Sequence, residues 1–207
     1  MRITARSLVL AGQGFAPQAI TDHWLITKGV VPESKIFSPR VATNQFAIVT
    51  SSDFSLQVFP EKMQFHINEL VNYSHIRGSL HKLLDNWTFG RATACGINVH
   101  CLLNPSDPEL LSRQNLKPTK TIHGLERARF GTLAVLENAI EGAVMKMVIA
   151  PEFEDGDPSN KLRSIEADFN FHLPLTQENG ALKEAKLFFD QYEKISDFAT
   201  TLLAQVS

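Results

Sequence analysis

The stretch Gly96-Ile97-Asn98-Val99-His100-Cys101-Leu102 decides how this chain of 207 residues folds. Apolar and polar residues alternate through it, which is typical of a half-buried β-strand. A second stretch, Asp168-Phe169-Asn170-Phe171-His172-Leu173, has the same spacing of Asn and His. Because successive side chains of a strand point to opposite faces, each stretch predicts one apolar face and one face that carries Asn and His.

The polar face of these two strands supplies the candidate binding residues, which are Asn98, His100, Asp168, Asn170 and His172. Three interpretations of this face are open. The polar side chains face solvent or pair across strands, or they contact another protein. In the third interpretation His100 and His172 bind a metal or act as acid and base, because histidine is a common metal ligand and titrates near neutrality.

The sequence lacks the motifs that usually mark an enzyme. It contains no Gly-x-Ser-x-Gly elbow, no phosphate-binding Walker loop, no Gly-x-Gly-x-x-Gly and no Cys-x-x-Cys. We therefore predict no catalytic residue, no resident metal and no cofactor.

The remaining patterns predict a protein of the α+β class. Phe54–Phe59 and Met63–Ile67 alternate on either side of Pro60-Glu61-Lys62, which predicts a hairpin. The other predicted elements are strands at 5–11, 41–50, 90–103, 130–138, 143–150 and 162–173, a short helix at 17–28, a helix from Tyr73 to Trp87, and one long helix from Ala181 to the end. Because hairpins dominate, we expect a mostly antiparallel sheet in two related halves with helices packed on one face.

The segment Asn104-Pro105-Ser106-Asp107-Pro108 interrupts these patterns. It predicts a boundary between an N-terminal α+β half, residues 1–104, and a C-terminal α+β half, residues 105–207. We expect the two halves to form one compact unit.

Composition and charge exclude several classes of protein. A hydrophobic fraction of 43% and a net charge of −2 favour a soluble globular protein without a general attraction to nucleic acid or anionic membranes. No segment approaches the roughly 18 apolar residues that span a bilayer. Cys95 and Cys101 would lie about 20 Å apart on one strand, beyond the roughly 7 Å that a disulfide bridges. We therefore expect reduced thiols and a cytoplasmic location.

The Ser-Ser-Asp-Phe hairpin at 51–67, the aromatic-led helix, the Gly-Ile-Asn strand and the final strand and helix resemble a sporadically distributed family of bacterial proteins. Those proteins are somewhat longer two-half α+β chains of uncharacterised function. The resemblance covers about two-thirds of the chain, from about residue 41 onward, and the Asn-x-His spelling departs from it. It implies the architecture and no activity.

The favoured interpretation is a non-enzymatic cytoplasmic protein that binds another protein or a second copy of itself, as a homodimer. An alternative is a metal-binding protein or enzyme that uses His100 and His172. A further alternative is weak nucleic-acid binding through the basic segment 113–129, which contains five Lys or Arg residues and one Glu. We do not expect that binding, because the chain as a whole is not basic and has no recognised nucleic-acid motif.

Overall fold

The structure is a computed structural model that describes residues 2–103, 132–140, 142–153, 162–176 and 180–206. Within these residues the strands are β1 (Arg2–Gln13), β2 (Ile36–Ala42), β3 (Ala47–Ser51), β4 (Phe54–Phe59), β5 (Lys62–Ile67), β6 (Arg91–Leu103), β7 (Thr132–Ile140), β8 (Ala143–Phe153) and β9 (Leu162–Pro174). The α-helices are α1 (Asp22–Thr27), α2 (Tyr73–Asp85), α3 (Ala181–Phe189) and α4 (Tyr192–Val206).

The nine strands of the described residues belong to one sheet, in the order β2-β3-β4-β5-β1-β6-β9-β8-β7. The predicted hairpin is confirmed, since β4 and β5 pair antiparallel from Phe54 opposite Ile67 to Phe59 opposite Lys62. Strands β1–β5, β2–β3, β3–β4 and β7–β8 also pair antiparallel. The sheet is mostly antiparallel and the helices lie on one of its faces, so the predicted α+β class is confirmed.

Contacts between residues divide the chain into two compact units. Unit 1 comprises residues 1–4, 99–171 and 196–207, and unit 2 comprises residues 5–98 and 172–195. The predicted boundary at residues 104–105 lies outside the described residues, so the division into halves at that point stays a prediction.

The core of unit 2 forms where the apolar stripe of α2 is buried. Ile76, Leu80, Leu83 and Leu84 recur every three or four residues along α2 and are all buried. Burial of each such side chain stabilises the fold by about 1.5–3 kcal/mol. The strands of the hairpin contribute their alternate residues to the core, including Phe54 and Phe65, whose stacked rings lie 4.2 Å apart.

The core of unit 1 lies on one side of β9. Ile165, Ala167, Phe169 and Phe171 are buried, whereas Asp168 on the opposite face is exposed. The ring of Phe198 in α4 meets the edge of the Phe171 ring at a centroid distance of 6.1 Å. The helix therefore covers the odd-numbered face of β9 and leaves the even-numbered face uncovered by α4.

Three predicted elements are divided in the structure. The predicted helix at 17–28 is divided into a 3-10 turn, Pro17–Ala19, and α1, Asp22–Thr27. The predicted strand 41–50 is interrupted at Thr43, whose Oγ1 accepts the backbone N–H groups of Gln45 and Phe46, each at 3.2 Å. This local hydrogen bonding makes the turn between β2 and β3. The predicted terminal helix breaks at Asp190 into α3 and α4.

Among the described residues, no helix combines the length and the apolar composition needed to span a lipid bilayer.

Candidate functional site

The five predicted binding residues lie on the faces that their spacing predicts. On β6, Asn98 and His100 are half-buried between the fully buried Ile97, Val99 and Cys101. On β9, Asp168, Asn170 and His172 are exposed. Their assignment as binding residues stays a prediction.

Unit 1 brings His100 and Asp168 together and adds Thr4, which the sequence analysis did not identify. The hydroxyl oxygen of Thr4 lies 2.5 Å from Nδ1 of His100, and Nε2 of His100 lies 3.8 Å from Oδ1 of Asp168. Thr4 and His100 are 96 residues apart in the chain. Strand pairing joins them, so no local sequence signal pointed to Thr4.

Unit 2 contains Asn98 and His172, and there Asn98 has a structural role. Its side-chain amide donates a hydrogen bond to Oγ of Ser7, at 3.1 Å. Ser7 is buried on β1, and its Oγ also accepts a hydrogen bond from the side-chain amide of Gln64, at 3.4 Å. A buried hydroxyl without such partners would destabilise the fold, so Asn98 contributes to the pairing of β1 and β6.

The described part of the chain contains no cluster of three His, Cys, Asp or Glu side chains that could bind a metal. The two thiols are unsuited to nucleophilic chemistry. Burial raises the pKa of Cys95 to about 12 and that of Cys101 to about 11. Because the thiolate is the reactive form, both cysteines are inert thiols that fill the core.

Unit 2 has a surface cleft of about 460 Å³ beside the start of α2. Asp53 and His75 line it, and Lys35 donates to Oδ2 of Asp53 at 2.6 Å. Partial burial raises the pKa of Asp53. The hydrogen bonds from Lys35 and Ser52 and the positive charge of Lys35 lower this pKa by more than burial raises it, so the net shift is downward. The carboxylate is thus already paired and serves to fix the turn before β4.

Leu70, which also lines this cleft, is 97% exposed on the loop before α2. Arg6 holds that loop, since its Nη2 donates to the backbone oxygens of Asn68, Glu69 and Val71 at 3.0, 2.6 and 3.0 Å. One guanidinium group therefore binds three carbonyl oxygens of the turn that carries Leu70.

A second carboxylate in unit 2 joins α2 to the end of α3. Asp190 accepts a bidentate pair of hydrogen bonds from Arg77, each at 2.7 Å. Its Oδ1 also lies 2.8 Å from Nε2 of His81. Partial burial raises the pKa of Asp190, but the Arg77 and His81 hydrogen bonds outweigh it and lower the pKa overall. The arrangement satisfies the carboxylate fully, which indicates a structural clamp.

Strand β7 presents apolar side chains at one end of the strand order in unit 1. Leu133 is 59% exposed and Val135 is 60% exposed. No described strand pairs with the outer edge of β7. This surface, Leu133 and Val135 on edge strand β7, is the apolar edge of unit 1.

Comparison with known proteins gives no family. No protein-family model matches the chain, and no curated protein matches it. The chain is similar to a solved structure, the rolling circle replication initiator protein from Geobacillus stearothermophilus, with 8% identity and a TM-score of 0.32 over 92% of this chain and 79% of that chain. A likeness at this level carries no argument about function.

Proposed function

We propose that this protein associates with a second copy of itself through the apolar edge of β7. The observation that carries the proposal is the exposure of Leu133 and Val135 on a strand whose outer edge has no described partner. An unpaired strand edge presents a row of N–H and C=O groups to which another strand can bind. Apolar side chains on that same strand add burial to the backbone hydrogen bonds.

Strand β2, at the other end of the strand order, differs from β7 in how its edge is protected. Edge strands are commonly protected by proline, charge or bulges. In β2, Pro39 removes a backbone donor and the register shifts between Phe37 and Val41. β7 keeps a regular register from Thr132 to Leu136, and that segment contains neither a charged residue nor proline. The register of β7 shifts only beyond this segment, between Leu136 and Ile140, so among the described strands the segment from Thr132 to Leu136 is an edge without these protections.

The regular segment of β7 is suited to two-fold pairing. An antiparallel pair of copies centred on Ala134 places Leu133 of each copy opposite Val135 of the other. Such cross-strand pairs of apolar side chains contribute about 0.2–1 kcal/mol each beyond the backbone hydrogen bonds. The same surface serves both copies, as a closed two-fold dimer requires.

The test is the mass of the protein in solution, measured by size-exclusion chromatography with light scattering. We expect a dimer for the unaltered chain and a monomer for Val135→Glu. Residue 135 lies opposite Lys146 on β8, so the new carboxylate has a favourable neighbour within one copy. In the dimer it would lie against Leu133 of the second copy, where its desolvation is costly.

The matched control is Phe37→Glu, which places the same charge at an exposed apolar position on β2. We expect it to remain a dimer, and both variants to unfold at temperatures close to that of the unaltered protein. The proposal would be contradicted if the unaltered protein is a monomer across the micromolar range. It would also be contradicted if Val135→Glu remains a dimer.

A further inference from the structure

Thr4, His100 and Asp168 form a chain of side chains across three neighbouring strands of unit 1. The distances are 2.5 Å from the Thr4 hydroxyl to Nδ1 of His100 and 3.8 Å from Nε2 of His100 to Oδ1 of Asp168. A hydroxyl, an imidazole and a carboxylate in this order are the groups that activate a nucleophile in acyl transfer.

We assign the proton of neutral His100 to Nε2, because the Asp168 carboxylate lies 3.8 Å from that nitrogen. A negative charge near Nε2 favours the tautomer with its proton on Nε2. Nδ1 then has a free lone pair directed at the Thr4 hydroxyl, which must donate the 2.5 Å hydrogen bond. In this state His100 is placed to act as a general base toward Thr4, and Asp168 acts as a positioning residue.

The three side chains are also accessible from solvent. The side chain of His100 is 27% exposed and that of Asp168 is 62% exposed. Thr4 is half-buried. Asp168 lies on the face of β9 opposite to the buried Phe169, so a small reagent reaches the group without opening the core.

We propose that the Thr4 hydroxyl is a nucleophile that accepts an acyl group from small activated esters. The Thr4 oxygen forms a bond to the acyl carbon while its proton moves to Nδ1 of His100. The bond from the acyl carbon to the ester oxygen breaks, and the leaving alcohol or phenol departs with the electron pair and takes up a proton. The product is an ester of Thr4, and no oxidant or reductant is required.

This inference goes beyond the proposed self-association and does not depend on it, since it uses the polar face and not the edge of β7. It also departs from the expectation of a protein without chemical activity. The expected behaviour is one acylation for each chain with small esters.

The experiment uses p-nitrophenyl acetate and the full-length protein. Release of p-nitrophenol is followed by absorbance, and the acetylated residue is located by mass spectrometry of peptides. We expect acetylation at the Thr4 hydroxyl. In Thr4→Ser the serine hydroxyl at position 4 should still be acetylated. In His100→Asn the rate of acetylation should fall about a hundredfold or more, because general-base assistance is typically worth about 10²–10⁴-fold.

His172→Asn is the matched control, since His172 has the same Asn-x-His context but lies exposed in unit 2. It should leave acetylation of Thr4 unchanged. Asp168→Asn should slow the reaction by less than His100→Asn, since the carboxylate is 3.8 Å away. Acetylation confined to lysines or the terminal amine, or an equal Thr4 rate in His100→Asn, would overturn the proposal. An equal rate in Asp168→Asn would overturn the assigned tautomer.

Discussion

Replacement of Asp190 by Asn tests the clamp between α2 and α3 most directly. The substitution keeps the size of the side chain but removes the negative charge that accepts from Arg77 and His81. A hydrogen bond to a charged partner is worth about 1.5–3 kcal/mol. The carboxylate also lies at the C-terminal end of α3, where a negative charge is unfavourable by about 0.3–1 kcal/mol. We expect a net loss of about 1–2 kcal/mol.

That loss should lower the unfolding temperature by about 2–8 °C, since 1 kcal/mol shifts a chain of this size by about 2–4 °C. Urea unfolding at pH 7 measures the free energy directly. Asp85→Asn is the matched control, because Asp85 also joins α2 to α3, through Lys186 at 2.7 Å, but is mostly exposed. It should cost about 0.5 kcal/mol or less.

The lowered pKa of Asp190 fixes the sign of the pH dependence. A carboxyl group whose pKa is lower in the folded state, relative to an ordinary value of 3.8, stabilises the fold at every pH above that ordinary value. The contribution is lost as the pH falls through the lowered pKa. The stability difference between the unaltered protein and Asp190→Asn should therefore shrink as the pH falls from about 5 through the lowered pKa. Equal stability at pH 7, or a difference independent of pH, would refute the clamp.

Two further predictions concern glycine and cysteine. Gly90→Ala should destabilise by more than about 2 kcal/mol in urea unfolding, since Gly90 has a φ of +65° and an added Cβ would lie 2.2 Å from the backbone oxygen of Gln13. Gly78→Ala, inside α2 with open space around it, should instead stabilise by about 0.5–1 kcal/mol, and the reverse order would contradict the packing. Cys95 and Cys101, with pKa values raised by burial to about 12 and about 11, should resist a thiol reagent at pH 8 until urea unfolds the chain; rapid reaction of the folded protein would show that they are not buried.

The elements that could be predicted are those with local signals. The hairpin at 54–67 and helix α2 have complete alternation or three-and-four spacing, and both are confirmed. The break at Asp190 could not be predicted, because the apolar spacing runs on from Phe188 to Tyr192 and Ile195 as if through one helix. Periodicity records which side is buried and is insensitive to a break that keeps that side in phase.

The candidate site, too, could be predicted only where the signal is local. Alternation predicted the faces of His100 and Asp168, because face is a local property of a strand. It could not supply Thr4, which is 96 residues from His100, or the pairing of Arg77 with Asp190, which are 113 residues apart. The exposure of Leu133 and Val135 likewise depends on the order of strands in the sheet, which a single sequence does not reveal. The basic segment 113–129 lies outside the described residues and stays a prediction.

The hydrogen bonds from Arg6 to the loop before α2 have a consequence for proteolysis. An exposed leucine such as Leu70 is the kind of side chain that many digestive proteases select, and exposed loops are their preferred points of cleavage. Cleavage also requires the loop to enter the protease cleft in an extended form. Arg6 binds the carbonyl oxygens of Asn68, Glu69 and Val71, so the loop must break three hydrogen bonds before it can extend. The most exposed leucine of unit 2 is thereby shielded from cleavage by the geometry of its own backbone.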